Sequence, residues 1–175
     1  MFNTELTYLL DAAIKEAVQR RHTFFCAEHI LFALLFDPQI EQALDALAVD
    51  RSKLQQSLVS FFNDELEQAP TEQQDIEPLQ TPQARRIIQR ALIQSRSSGK
   101  DLVTPLDMLI AISKESEEEC MASFFLRQQG MTHLELLQYV SHGIAKIPEH
   151  ELEEARGEHR DSAYEQGGEG AEGQQ

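Results

Sequence analysis

Cys26-Ala27-Glu28-His29-Ile30-Leu31-Phe32-Ala33-Leu34 returns later in the chain as Thr104-Pro105-Leu106-Asp107-Met108-Leu109-Ile110-Ala111-Ile112, at a constant offset of 78 residues. The same offset carries Leu6, Leu9, Leu10, Ala13, Ile14 and Ala17 onto Ala84, Ile87, Ile88, Ala91, Leu92 and Ser95. Further on the offset becomes 82, so that Ala48-Val49-Asp50 and Leu54 match Gly130-Met131-Thr132 and Leu136. The second copy has therefore gained about four residues near its third helix, and duplicated apolar faces imply duplicated packing. The fold class that follows is all-α: two tandem four-helix repeats packed as a pseudo-twofold, eight-helix domain.

Working outward from the quoted stretch, apolar residues between Thr4 and Arg20 recur at intervals of three and four, with Glu5, Asp11, Lys15 and Glu16 between them. That pattern predicts an amphipathic first helix. The second helix, about Ala27 to Phe36, is apolar nearly all round, as a short helix enclosed by others must be. Asp37-Pro38 stops it and opens the third, and Asp50 offers an N-cap for the fourth. In the second copy Thr81-Pro82 and Thr104-Pro105 each place a capping hydroxyl before a proline at the first helical position, where a missing N–H costs nothing. Asp107 adds a capping-box acid to the second of these. A seventh helix is predicted from about Glu117 to Gln129, and Thr132 with Glu135 starts the eighth.

The boundaries expected from this reading are a domain over 1–146, made of repeat one (1–66), a proline-containing linker (67–80) and repeat two (81–146). Residues 147–175 form an acidic tail, with nine carboxylates against Arg156 and Arg160 and hardly any large apolar side chain. Such a segment buries too little surface to offset its ordering entropy, so disorder is expected there.

The net charge of −15 argues against nucleic acid and anionic membrane as partners, because phosphate neutralisation needs clustered Lys and Arg. The one basic cluster, Arg85, Arg86, Arg90, Arg96 and Lys100, scatters its charges around a helix. Cys26 and Cys120 occupy non-equivalent places in the repeats and form no CxxC pair, which argues against a disulfide framework. No apolar stretch approaches the roughly 20 residues that span a bilayer. A reducing cytoplasm is the expected compartment.

Catalytic signatures are missing: no GxxxxGK[ST], GxSxG, HExxH or GxGxxG occurs. His29, following Glu28 and matching Asp107 in the other repeat, is the one candidate for an enzymatic role; hydrogen bonding within a buried helix is the preferred account of it. His22 lies in the turn after helix one with Glu28 nearby in sequence, but a stable zinc site needs three or four ligands and no second His or Cys stands at ligand spacing. No metal and no cofactor are expected. The aromatic pairs Phe24-Phe25 and Phe124-Phe125 fit ordinary core packing or, alternatively, the lining of a groove for an apolar peptide.

The run Arg20 to Leu35, with its capped Glu-His-Ile-Leu helix and weaker second copy, resembles the Clp repeat found at the N-terminus of Clp-type AAA+ unfoldases. The opening Met1-Phe2-Asn3-Thr4-Glu5-Leu6, the stretch Gln94 to Gly99 and Tyr139-Val140-Ser141-His142-Gly143 are most similar to the ClpA-type N-domain. The resemblance covers residues 1 to about 145. It implies a non-catalytic, monomeric docking domain that receives a ClpS-type adaptor or unfolded and tagged protein substrates. The ATPase modules of the parent would unfold these for the peptidase ClpP, and the acidic tail would be the tether to them. Mapped onto this sequence, the adaptor-facing residues implied are His22, Thr23, Glu28, Thr81, Arg85 and Arg86, with Glu28 as an exposed ion-pairing group. Thr23 departs from the acidic residue of the ClpA pattern, and Cys26 replaces the usual threonine cap. Two readings stay open: the docking domain of a longer unfoldase subunit, or a free-standing Clp-repeat protein that regulates the unfoldase by sequestering adaptor or peptide.

Overall fold

Asn3, Asp37, Asp50, Thr81, Thr104 and Thr132 each accept a hydrogen bond from a backbone N–H in the first turn of the helix they precede, and these caps set the element boundaries. A computed structural model describes residues 1–145; the expected acidic tail lies outside the described residues. The helices are α1 (Thr4–Gln19), α2 (Ala27–Leu34), α3 (Pro38–Ala46), α4 (Arg51–Asp64), α5 (Pro82–Ser97), α6 (Pro105–Ser113), α7 (Met121–Gln128) and α8 (His133–His142). Two short strands, β1 (Phe24–Phe25) and β2 (Leu79–Gln80), complete the order.

α2 and α6, the duplicated apolar helices, lie at the centre: every residue of α2 and all but Leu106 of α6 are buried, and the two helices contact each other. Around them the outer helices bury one face each. α1 contributes Leu6, Ala13 and Ala17, and α5 contributes the equivalent Ala84, Ala91 and Ser95 together with Ile87. The core is continuous across both repeats.

The repeats are joined by a reciprocal exchange of backbone. β2, immediately before α5, pairs in parallel with β1 in the first repeat, Phe24 opposite Leu79 and Phe25 opposite Gln80. Phe2, immediately before α1, pairs in parallel with Val103 in the second repeat. Shifting Phe2 and Phe25 by the repeat offset gives Gln80 and Val103, so the two pairings are one interaction made twice. Asn3 N–H donates to the Val103 carbonyl at 2.9 Å, and Thr81 N–H donates to the Phe25 carbonyl at 3.0 Å. Each repeat's entry strand thus closes on the other repeat's turn.

The 67–80 segment connects the repeats while lying against the first of them. Thr23 N–H donates to Glu67, Ala69 N–H to the Arg21 carbonyl, and the Arg21 guanidinium to the carbonyls of Pro70 and Gln73. Arg21 holds a left-handed backbone (φ 59°), as does Ala48 (φ 56°). Their counterparts in the second repeat are Gly99 and Gly130, where the same conformation carries no Cβ penalty.

Two boundaries differ from the sequence reading. α7 starts at Met121 rather than about Glu117, because Glu115 is buried and gripped by arginines from α5, which fixes a turn through Ser116–Cys120 ahead of the helix. α2 ends at Leu34, since Leu35 N–H is shared between the carbonyls of Leu31 and Phe32 and the turn tightens into Asp37.

Leu79 tests the exchange cleanly, because its side chain is exposed while its N–H donates to the Thr23 carbonyl at 2.9 Å. Leu79→Pro is expected to lower unfolding free energy by about 1 to 3 kcal/mol and Leu79→Ala by almost nothing. Urea denaturation of both variants checks this; equal effects would mean that the pairing carries no stability.

Candidate docking surface

The residues assigned by resemblance divide into a buried set and a surface set. His22 and Glu28 are 1% and 3% exposed, which corrects their assignment as contacts for a partner. Glu28 sits in the first turn of α2, and its Oε1 accepts a hydrogen bond from the Ala122 N–H in the first turn of α7, at 3.2 Å. One carboxylate therefore serves the positive ends of two helices, one in each repeat. Its expected role as an exposed ion pair is replaced by that of an internal stitch.

His22 belongs to a directed chain of hydrogen bonds. The Cys26 N–H can only donate, so His29 Nδ1, 3.1 Å away, accepts. The proton of His29 is then on Nε2, which donates to His22 Nδ1 at 2.8 Å, and His22 in turn donates from Nε2 to the Phe62 carbonyl at 3.0 Å. Both rings are neutral, and any added proton sets two donors against each other. Burial, reinforced by the neighbouring His22 and Arg20, pushes His29 down to about 3; burial also lowers His22, partly opposed by its bond to Phe62. His29 does not meet Asp107. The second repeat fills the equivalent positions with Lys100 and Asp107, whose Nζ and Oδ1 are 3.0 Å apart, while Asp107 Oδ2 accepts from Thr104 N–H as His29 does from Cys26.

Neither thiol is poised for chemistry. Burial, followed by the charge of Glu28, raises Cys120 to about 12 and Cys26 further still. Among the described residues no cluster of three or more His, Cys, Asp or Glu is arranged to hold a metal ion, and no helix is long and apolar enough to cross a membrane.

The surface set is drawn together by the strand exchange. Thr23 and Thr81 are half-buried at the edges of β1 and β2, and Arg85 follows one helical turn after Thr81, exposed and with no ion pair among the described residues. Arg86 is different: its Nε and Nη2 grip the buried Glu115 carboxylate at 3.0 and 2.7 Å, and Arg90 adds a third bond at 2.8 Å. Those arginines hold the Glu115 carboxyl below the usual range even though burial pushes it up. Arg86 is committed to the α6–α7 turn, whereas Arg85 is exposed.

Beside these residues, Phe24 and Leu79 present apolar surface, 39% and 64% exposed, and an apolar cleft of about 270 Å³ opens between α1 and α5. Leu10, Ile14, Phe25, Pro78 and Ile88 line it. Sequence reasoning found Phe24 and Phe25 but missed Leu10 and Ile88, although they are repeat equivalents and their recurrence marks the place where α1 and α5 face one another.

Residues 1–151 match the Clp repeat (R) N-terminal domain family. A ClpA homolog protein from Fuscovulum blasticum is 35% identical over 147 residues, 84% of this chain and 18% of that protein, so the chain spans less than a fifth of that relative. The N-terminal domain of Hsp104 from Candida albicans superposes with a TM-score of 0.66 at 12% identity, covering 80% of this chain and 91% of the other. That of the chaperone ClpD from Arabidopsis thaliana gives a TM-score of 0.55 at 17% identity, covering 77% and 91%. At these identities the solved structures establish the shared fold alone.

Two outcomes follow from the buried residues. Glu28→Ala, which strands the Ala122 N–H, is expected to lower stability by about 1 to 3 kcal/mol, with a smaller loss for Glu28→Gln; an unchanged urea midpoint would return Glu28 to the surface. For His29, the unfolded state binds a proton near pH 6.5 and the native state only near pH 3, and His22 is shifted in the same direction. The His29 contribution is therefore complete above about pH 6.5 and is lost as pH falls towards 3. The intact chain should lose about 2 kcal/mol between pH 7 and 5 through His29, and His29→Gln should flatten that slope. Parallel slopes for the two proteins would exclude the hydrogen-bonded chain as its source.

Proposed function

Since this chain belongs to the Clp repeat (R) N-terminal domain family of Clp-type ATPases, we propose that it is the docking N-domain of a ClpA-like unfoldase. In this reading it is a non-catalytic module that receives a ClpS-type adaptor, or protein substrates directly, and holds them near the ATPase modules that deliver unfolded chain to ClpP. The observation that carries the proposal is the exposed Arg85, with no ion pair among the described residues, one helical turn after Thr81 at the end of the strand in which exposed Leu79 pairs with exposed Phe24. A cation with an apolar border suits a partner surface that brings a carboxylate and a few apolar side chains.

Rigidity supports the same reading. Thr23, Thr81 and the start of α5 are fixed by backbone hydrogen bonds between repeats, so their arrangement is in place before a partner arrives and little ordering cost falls on binding. Tethering then does the remaining work: a module joined to a machine by a chain segment raises the local concentration of whatever it holds, and moderate affinity is enough.

Calorimetric titration of the chain with a ClpS-type adaptor tests the assignment. A one-to-one complex is expected, weakened about tenfold or more by Arg85→Glu, with the thermal unfolding of that variant unchanged because the side chain is exposed and has no ion pair among the described residues. Undiminished binding by Arg85→Glu, or no complex with the folded chain, would overturn it.

A further inference from the structure

Arg21 stands at a position that the second repeat fills with glycine. At the end of α1, Arg21 N–H donates to the Val18 carbonyl and His22 N–H to that of Ala17, at 3.0 and 2.9 Å. At the end of α5, Gly99 N–H and Lys100 N–H make the same two bonds to Arg96 and Ser95, at 3.1 and 3.0 Å. In both, the residue after the helix cap turns left-handed, with φ 59° at Arg21 and 71° at Gly99. Glycine adopts that conformation freely, whereas a residue with a Cβ is strained in it. The backbone gives no reason for arginine at 21; its side chain supplies one.

That side chain reaches the segment between the repeats. Arg21 Nη2 donates to the carbonyls of Pro70 and Gln73 at 2.6 and 2.9 Å, the two ends of a turn that the Gln73 N–H closes on Pro70 at 3.0 Å. Bonds from a guanidinium are charge-assisted and stronger than those between neutral groups. Without them the segment would run unattached from Ala69, bonded to the Arg21 carbonyl, to Leu79, bonded to the Thr23 carbonyl, a span of nine residues (70–78). With them only 74–78 remain, five residues that make no hydrogen bond outside the segment among the described residues. The last of the five is Pro78, which lines the apolar cleft with Leu10, Ile14, Phe25 and Ile88 and leads directly into the exposed Leu79. Proline has no N–H to donate, so its placement depends on how the chain is held on either side.

We propose that Arg21 is a positioning residue for the docking surface: its guanidinium clasps the inter-repeat segment and so presents Pro78 and Leu79 in one arrangement beside the cleft. The proposal rests on the docking reading above and adds to it a residue that touches no partner. A strained backbone at Arg21 is the cost, and a cleft wall ordered before binding is the gain.

Two variants of the whole chain separate side chain from backbone. Arg21→Gly removes both the clasp and the strain; Arg21→Ala removes the clasp and keeps the strain. In urea, Arg21→Gly should unfold close to the parent and above Arg21→Ala. Glutamyl endopeptidase, followed by mass spectrometry, should cut after Glu72, inside the clasped turn, severalfold faster in both variants than in the parent. Calorimetric titration with a ClpS-type adaptor should show both weakened by about three- to tenfold, the range expected when a contact side chain loses its preorganisation. Affinity lost without stability in Arg21→Gly is the signature of positioning. Unchanged cleavage after Glu72 would overturn the clasp. Faster cleavage with unchanged affinity would overturn the positioning role, and weakening in Arg21→Ala alone would assign the effect to the backbone and overturn it too. A parent chain that binds no adaptor would overturn the docking reading and the positioning role with it, while the cleavage rates would still decide the clasp.

Discussion

The exchange of entry strands between the repeats is the constraint on which the rest of this structure depends. Each repeat alone would leave the backbone before its first helix and the backbone of its central turn without partners. Together they satisfy one another through the Phe2–Val103 and Gln80–Phe25 pairings. Because the pairs are related by the repeat offset, the same short interaction is placed on both sides of the pseudo-twofold arrangement. The same exchange places Phe25, Pro78 and Gln80 in the apolar cleft that Leu10 and Ile14 of α1 and Ile88 of α5 also line.

Around this frame the two repeats solve equivalent local problems with different chemistry. At the start of the central helix, the residue at its third position accepts from the capping residue's N–H: His29 in one copy, Asp107 in the other. The residue seven positions earlier then contacts it, His22 or Lys100. A neutral imidazole pair suits the fully buried version, since two uncharged rings avoid the desolvation that an ion pair would suffer; the half-exposed Lys100 tolerates charge. Glu28 and Glu115 are the two buried carboxylates with the most demanding surroundings. One joins the repeats through Ala122, and the other ties α5 to the turn before α7 through Arg86 and Arg90. The polar interior thereby fixes the relative positions of helices that apolar packing alone would hold less specifically.

Most of the fold was legible because its signals are local. Asn3 was the only one of the six side-chain caps not read directly from the sequence, and the duplicated α2 and α6 marked the centre by their composition. What was missed depends on contacts between distant residues. Glu28 reads as exposed because charged residues usually are, and its partner Ala122 lies 94 positions away. The run Glu117-Glu118-Glu119 favours helix in isolation, and burial of Glu115 overrides that preference, so α7 starts only at Met121. Strands two residues long have no period to detect, so the exchange was invisible even though the repeat that generates it was plain. Of the candidate surface, Thr23 and Thr81 are half-buried and Arg85 is exposed, Arg86 is committed to Glu115, and His22 and Glu28 are interior.

Amide hydrogen exchange at single-residue resolution in the free chain tests the account most directly. If the reciprocal pairing joins the repeats into one cooperative unit, the N–H groups of Asn3, Leu79, Thr81 and Val103 exchange with a common free energy close to that of global unfolding. Exchange of Leu79 and Thr81 through a low-energy local opening, while Asn3 and Val103 stay protected, would contradict it: the two repeats would then be separable, and the surface bearing Arg85 would not be held in place by the exchange.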